Sequence, residues 1–198
     1  EFAPILPTIL INGSLGIGSG YSSTIPLYNP KDVLACVREW LKQKCYSEAV
    51  VPVFPDIHPW YRGFNGTIEK VEKDKHRYIT KGVLTRGKGD VVTVSVIPVN
   101  MSIDSFKSSL DDLLEAKKIK SYKNFSTDNV PHFEIKENSA ELELTIESLK
   151  LTSTISTSNM VLFDTAQKLK KYETVSEILN EFCHFRYGFY VKRKLYLI

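Results

Sequence analysis

The chain has 198 residues, of which 42% are hydrophobic and 25% charged, and its formal net charge is +3. That length holds one domain or two small ones with a real core, and the composition excludes a disordered chain. No apolar run reaches the roughly 18–20 residues of a membrane span, and the mild positive charge permits a nucleic-acid partner without requiring one.

In chain order, the apolar run at 5–11 predicts a buried strand over residues 5–12. A glycine-crowded stretch follows, Asn12-Gly13-Ser14-Leu15-Gly16-Ile17-Gly18-Ser19-Gly20. Glycines let backbone approach a bulky partner, and their N–H groups can face anionic oxygens. Ile17, at the centre, is then either an exposed wedge or a core residue. Two nucleotide motifs fail here. The phosphate loop needs Gly-Lys-Ser/Thr, and no Lys follows these glycines; in the dinucleotide fingerprint Tyr21 occupies the place of the third glycine. Both also need a helix opening directly on the loop, whereas Pro26 and Pro30 interrupt the next ten residues.

Asn29 is a fitting N-cap with Pro30 at the first helical position. Val33, Leu34, Val37, Trp40 and Leu41 then repeat at helical spacing and predict a helix of about thirteen residues. Residues 45–66 read as a structured connection. Strands are expected at 66–72, 77–85 and 90–97, the last two joined by the hairpin signal Arg86-Gly87-Lys88-Gly89. Ile103, Phe106, Leu110, Leu113 and Leu114 predict a second amphipathic helix, and 131–136 another strand. Leu142, Leu144 and Ile146 alternate like a strand, but Ala, Glu and Leu favour a helix, which is the expectation for 140–149. Thr174 with Glu177 forms a capping box opening a third helix. Val175, Ile178, Leu179, Phe182, Phe185, Phe189 and Tyr190 supply its apolar stripe, and no Gly or Pro terminator stops it before the chain end. No internal repeat is visible.

Cys36, Cys45 and Cys183 are an odd number without C-x-x-C spacing, which fits a reducing compartment and argues against a structural zinc site. Three basic clusters stand out: Lys117, Lys118 and Lys120 with Lys123; Lys168 with Lys170 and Lys171; and Lys192 to Lys194. Each is either solvated surface or a contact to phosphates that would be sequence-independent and salt-dependent. Arg62, with Trp60 and Tyr61 beside it, is either a packed or stacked arginine, which is the expectation, or a DNA contact. From the residues alone, a free-standing interaction or nucleotide-binding module remains an alternative to a DNA-binding one.

Several blocks resemble one family. Pro4-Ile5-Leu6-Pro7, Ile9 to Gly13, Gly16 to Gly20, Ile25-Pro26 and Asn29-Pro30 resemble the eukaryotic-type DNA topoisomerase II, a type IIA enzyme. In the same order follow His58 to Phe64 with Gly66 to Glu69, then Ser158 to Val161 with Phe163-Asp164. Tyr172, Val175, Glu177 to Leu179, Glu181-Phe182, Arg186 and Lys192 to Lys194 complete the likeness, which spans essentially the whole chain. The resemblance implies an α+β tower-type domain, with a mixed or antiparallel sheet flanked by helices and a long final helix entering a coiled-coil arm. It implies a wedge loop and lead-in strand at 1–30, the tower or shoulder at 31–172 and the start of the arm at 173–198.

The same resemblance implies an ATP-dependent, magnesium-using, homodimeric enzyme that passes one DNA duplex through a transient break in another. Such an enzyme is intracellular, nuclear if cellular and in the host cytoplasm if viral. The cleaving tyrosine, the metal site and the ATPase are expected outside these residues, so no catalytic or metal-binding residue is assigned here and the chain alone should be inactive. Tyr61-Arg62, Arg77-Tyr78 and Arg186-Tyr187 lie outside the family's catalytic context. Ile17 takes the place of the family's wedge, which inserts between base pairs and bends the duplex. Asn12, Ser14, Gly16, Gly18 and Ser23 would line the DNA around it. Leu15, Val96 and Tyr21 depart from the cellular pattern, which suggests a divergent branch such as that of large cytoplasmic DNA viruses, African swine fever virus among them.

Overall fold

The computed structural model describes residues 3–46, 52–138 and 140–198. The chain runs α1 (Thr8–Asn12), β1 (Ser14–Gly18), β2 (Tyr21–Ile25), α2 (Pro30–Tyr46), β3 (Thr67–Lys70), β4 (Arg77–Lys81), β5 (Val83–Arg86) and β6 (Val91–Val96). It continues through α3 (Ile103–Glu115), β7 (Ile119–Asn124), β8 (Phe133–Glu137), β9 (Thr152–Ser156), β10 (Met160–Phe163), β11 (Leu169–Tyr172) and α4 (Val175–Leu197). This is the expected α+β class, with antiparallel pairing and a long C-terminal helix. Contacts divide it into two compact units, Glu1–Tyr61 with Ser156–Ile198, and Arg62–Ile155.

In the first unit the apolar run at 5–12 is not the strand expected from it. Pro7 stands at the N-cap of α1 and Gly13, at φ 67°, ends it after a short helix. Continuous apolar runs do not separate helix from buried strand by period, and here proline at the start and a left-handed glycine at the end decide for helix. α2 opens where expected: the Asn29 Oδ1 accepts from Lys31 N at 2.9 Å. It runs 17 residues, longer than its apolar repeat suggested. Leu10, Ile25, Tyr28, Val33, Cys36, Met160, Tyr172, Ile178 and Leu179 form the buried core of this unit. Trp40 ties α2 to α4, its Nε1 donating to Asn180 Oδ1 at 3.0 Å while its ring stands edge-on to His184. The Thr174 hydroxyl accepts from Glu177 N at 3.3 Å, and Glu177 reaches back to Glu173 N at 3.0 Å, one residue beyond the usual reciprocal partner.

The second unit holds a three-stranded sheet, β3-β4-β9, and a four-stranded one, β5-β6-β8-β7. The strand expected at 77–85 breaks at Gly82, where a side chain would stand 2.3 Å from the Val96 carbonyl. The break sends β4 and β5 into different sheets. The hairpin at 86–89 forms as expected, with Gly89 at φ 72°. α3 is capped by Ser102, which accepts from Ser105 N at 3.0 Å, and buries Phe106 and Leu110. Phe106 meets Phe133 edge-on at 5.0 Å, so Phe106→Ala would cost ~3–5 kcal/mol.

Residues 140–149 are neither helix nor strand but turns and irregular backbone; position 139, just before them, lies outside the described residues. Thr145 and Ser148 exchange side-chain-to-backbone bonds of 2.8 and 3.1 Å. Leu144 and Leu149 are buried, so the segment fills the core as a folded loop rather than as a periodic element. Its local polar bonds compete with a helix and outweigh the propensity of its Ala, Glu and Leu. β7, β9, β10 and β11 have no counterpart among the expected elements. Residues 47–51 of the expected connection at 45–66 lie outside the described residues.

Candidate nucleic-acid interface

The glycine-crowded stretch folds as a hairpin of β1 and β2 rather than as an open loop. Its register pairs Leu15 with Thr24, Gly16 with Ser23, Ile17 with Ser22 and Gly18 with Tyr21, which leaves Ser19 and Gly20 as a two-residue turn. Gly20 takes φ 86°, a conformation glycine adopts without strain. Strand alternation puts Leu15 and Ile17 on one face with Ser22 and Thr24. Ile17 is 93% exposed and Leu15 87%. An isoleucine held this far out has no core role in the unit, and covering it would recover roughly 1.5–3 kcal/mol.

The opposite face explains the glycines. A Cβ on Gly18 would strike the Tyr21 ring, 2.8 Å from its Cζ, whereas a Cβ on Gly16 would meet nothing within 4 Å. Gly18 therefore makes room for a protein side chain, and the backbone at Gly16 lies open to an outside partner. Gly16 and Gly18 sit in a strand and Gly20 in the turn of a hairpin, rather than in a loop that opens a helix as a nucleotide motif requires.

The base of the hairpin is fastened to β10. Thr24 N donates to the Asn159 carbonyl at 2.8 Å. The Ser23 hydroxyl donates to the Val161 carbonyl at 2.7 Å and accepts from Val161 N at 3.3 Å. The Asn159 amide donates to the Ser22 carbonyl at 3.0 Å and to its hydroxyl at 2.8 Å. Of the residues expected to line DNA, Ser23 is buried and its hydroxyl is committed to β10, so it is withdrawn as a phosphate donor. Asn12 is exposed at the end of α1, Ser14 is half-buried at the hairpin base, and Gly16 and Gly18 are exposed beside Ile17.

The basic clusters are partly tied down. Lys170 Nζ lies 2.7 Å from Glu181 and Lys171 Nζ 3.6 Å from Glu173, while Lys168 is exposed. Burial on its own would raise the Glu181 carboxyl. Hydrogen bonds from Lys170, the Thr165 amide and Tyr172 outweigh it and hold the carboxyl below its usual value. In the second unit Lys120 pairs with Asp90 at 3.1 Å, on the edge strand β7, where lysines discourage pairing with another sheet. Lys192 stands over the Phe189 ring.

Burial pushes the Tyr61 phenol up, away from the reactive phenolate. Arg186 donates to the Ala3 carbonyl at 2.8 Å and its guanidinium lies over Tyr190. Arg62 is exposed. Burial likewise raises the thiols of Cys36 and Cys183, the latter to about 12, so both are inert core residues. Among the described residues no group of three His, Cys, Asp or Glu could hold a metal ion, and no helix is long and apolar enough to cross a membrane. Sequence reasoning placed Asn159 and Glu181 in family blocks but gave neither a role, since their partners are brought together only by the fold.

The mixed α+β fold, with its antiparallel sheets and long C-terminal helix, is shared with the DNA-binding and cleavage domains of type II topoisomerases. The chain belongs to the family of the A subunit of DNA gyrase/topoisomerase IV, whose model matches residues 1–198. It is 41% identical over its whole length to "DNA topoisomerase 2" of Invertebrate iridescent virus 6, and 36% identical over its whole length to that of Plasmodium falciparum. It spans 17% of the first relative's length and 14% of the second's. Among solved structures it resembles the Plasmodium falciparum topoisomerase II DNA-binding, cleavage and re-ligation domain. That match has a TM-score of 0.88 and 35% identity, and covers all of this chain and 27% of the other.

Proposed function

We propose that this chain is the segment of an ATP-dependent type II DNA topoisomerase that grips the duplex to be cut and bends it with Ile17. The observation that carries this reading is the exposure of Ile17, 93%, at the end of a hairpin whose base is fastened to the body. An apolar side chain entering a base step costs a few kcal/mol of unstacking, and the resulting bend brings more of the backbone against protein. The open backbone at Gly16 suits close approach to the sugar, and Asn12, Ser14 and Lys168 are among the groups placed to meet phosphates.

The parent enzyme, in this reading, is an intracellular homodimer in which each protomer contributes one wedge. It works in the nucleus or, for a viral enzyme, in the host cytoplasm. It uses ATP and magnesium. In this reading both, together with the bond-breaking chemistry, belong to other residues of the parent enzyme. The chain alone binds DNA without sequence preference and increasingly weakly as salt rises, and does not relax plasmid.

The test is Ile17→Ala in the full-length enzyme. Because the side chain is exposed, the melting temperature should hold, with a stability change within about 0.5 kcal/mol. DNA bending, read by energy transfer between the ends of a labelled duplex, and cleavage should both fall. A large loss of stability with normal bending would overturn the wedge.

A further inference from the structure

Asn159 sits immediately before β10, and its side chain reaches across to the hairpin. The amide nitrogen donates to both the carbonyl and the hydroxyl of Ser22, at 3.0 and 2.8 Å. Ser22 is the direct cross-strand partner of Ile17. The other fastenings lie further from the tip: Ser23 meets Val161, and Thr24 meets the Asn159 carbonyl. Beyond the level of Ile17 only the Gly18 and Tyr21 pair and the turn remain. Asn159 thus makes the outermost bond between hairpin and body described on β2, at the level of the wedge itself.

We propose that Asn159 is a positioning residue for the wedge: its amide clamps Ser22 and so fixes the angle at which Ile17 meets a base step. This rests on the reading of Ile17 as the bending wedge. A hairpin pressed against stacked bases is loaded at its tip, and its stiffness depends on where its last anchor lies. Without the amide, the anchor retreats to Ser23 and the free part of the hairpin lengthens. The wedge would still be present but would yield under load, so the duplex would be held yet bent less. Both of the amide's bonds are donated, so a carboxylate of the same shape cannot replace it. It would face the Ser22 carbonyl with a lone pair.

The experiment uses the full-length enzyme and an end-labelled duplex, with Asn159→Asp, Asn159→Ala, Ser22→Ala, Ile17→Ala and the double variant Asn159→Asp/Ile17→Ala. The Asn159 variants should lower the bent-to-straight ratio about fivefold, as expected for one net hydrogen bond, with DNA affinity and melting temperature near those of the unchanged enzyme. Ser22→Ala, which removes only the hydroxyl, should lower it about twofold. In the Ile17→Ala background Asn159→Asp should add nothing, because a residue acting through Ile17 has no effect once Ile17 is gone. A general structural role would instead add its own loss. A normal bend in the Asn159 variants, with Ile17→Ala straightening the duplex, overturns the clamp and leaves the wedge standing. A normal bend in Ile17→Ala overturns both. If both Asn159 variants fail to fold, Ser22→Ala decides alone, and an unchanged ratio there overturns the clamp.

Discussion

The ring of Tyr21 lies over Gly18, across the hairpin from it and on the face opposite Ile17, with its Cζ 2.8 Å from where a Cβ on Gly18 would stand. Gly16, two residues earlier on the same face, has nothing within 4 Å of that position. The two glycines flanking the wedge therefore serve different partners, one inside the protein and one outside it.

This separates two substitutions. Gly18→Ala pushes the tip of the Tyr21 ring aside, and the ring, already partly exposed, swings into solvent at a cost of no more than about 1 kcal/mol. Tyrosine fluorescence or the Tyr21 ring resonances should shift. Gly16→Ala should leave stability unchanged or raise it by roughly a few tenths of a kcal/mol, since alanine restricts the unfolded chain. It should nonetheless weaken DNA bending, because a methyl group would stand where the duplex approaches. Normal bending in Gly16→Ala would remove that backbone from the interface.

In the second unit a buried carboxylate holds a loop that has no regular structure. Glu137 Oε1 accepts from Leu144 N at 2.7 Å and Oε2 from Arg86 at 3.2 Å, while Arg86 also reaches Glu143 and the Leu144 carbonyl. Glu137→Ala leaves the Leu144 amide without its acceptor and should cost ~2–3 kcal/mol in chemical denaturation. Glu137→Gln keeps an acceptor for Leu144, and half-exposed Arg86 can turn to Glu143, so about 1 kcal/mol is expected. Equal losses would show that the amide bond is not what matters.

That loop also marks where sequence reasoning stops. The starts of α2 and α4 were legible because Asn29 and Thr174 act within four residues of their own helices, and α3 was legible from its apolar repeat alone, its Ser102 cap emerging only in the structure. The hairpin at 86–89 was legible for the same local reason. The state of 140–149 was not, because it depends on Glu137 and on the Thr145–Ser148 exchange rather than on any period. Strands β10 and β11 have four residues each, too short to show alternation, and β7 is lysine-rich because it is an edge. At the candidate interface, Ile17 and its glycines carried a family likeness, whereas Ser23 looked like a free donor. Only the approach of Val161, 138 residues away, shows it to be committed.

Stability of the first unit should depend on pH through Glu181. Its carboxyl is held below the ordinary 4.5, so its contribution is present above that value and is lost as pH falls through the folded one. Lys170 is raised above 10.5, first by its bond to Glu181, with Glu177 and Asp164 adding to it. Tyr172 is raised by burial and then by its bond to Glu181. Contributions of these two are complete below their ordinary values and are lost as pH rises through the raised ones. The melting temperature should therefore be flat between about pH 5 and 10 and fall on both sides. Glu181→Gln should flatten the acid limb and weaken the alkaline one. An acid limb unchanged by this substitution would assign acid unfolding to other carboxylates.

Phe182, Phe185 and Phe189 are half-buried, with Phe185 and Phe189 edge-on at 5.0 Å, but every residue from 191 to 198 is exposed. Leu195 is 72% exposed, Leu197 70% and Ile198 93%, with Tyr196 beside them. A run of large apolar side chains in water favours association, opposed here by Lys192, Arg193 and Lys194 on the same turns. The chain should therefore self-associate with rising concentration, more strongly at high salt, where the basic residues are screened. Leu195→Glu with Leu197→Glu should suppress this in sedimentation without lowering the melting temperature, because neither residue touches the core. Hydrogen exchange should be fast over the last two turns of the dilute chain and slower as it associates. A strict monomer at all concentrations, with those amides already protected, would mean that the terminal turns are held by the chain's own fold.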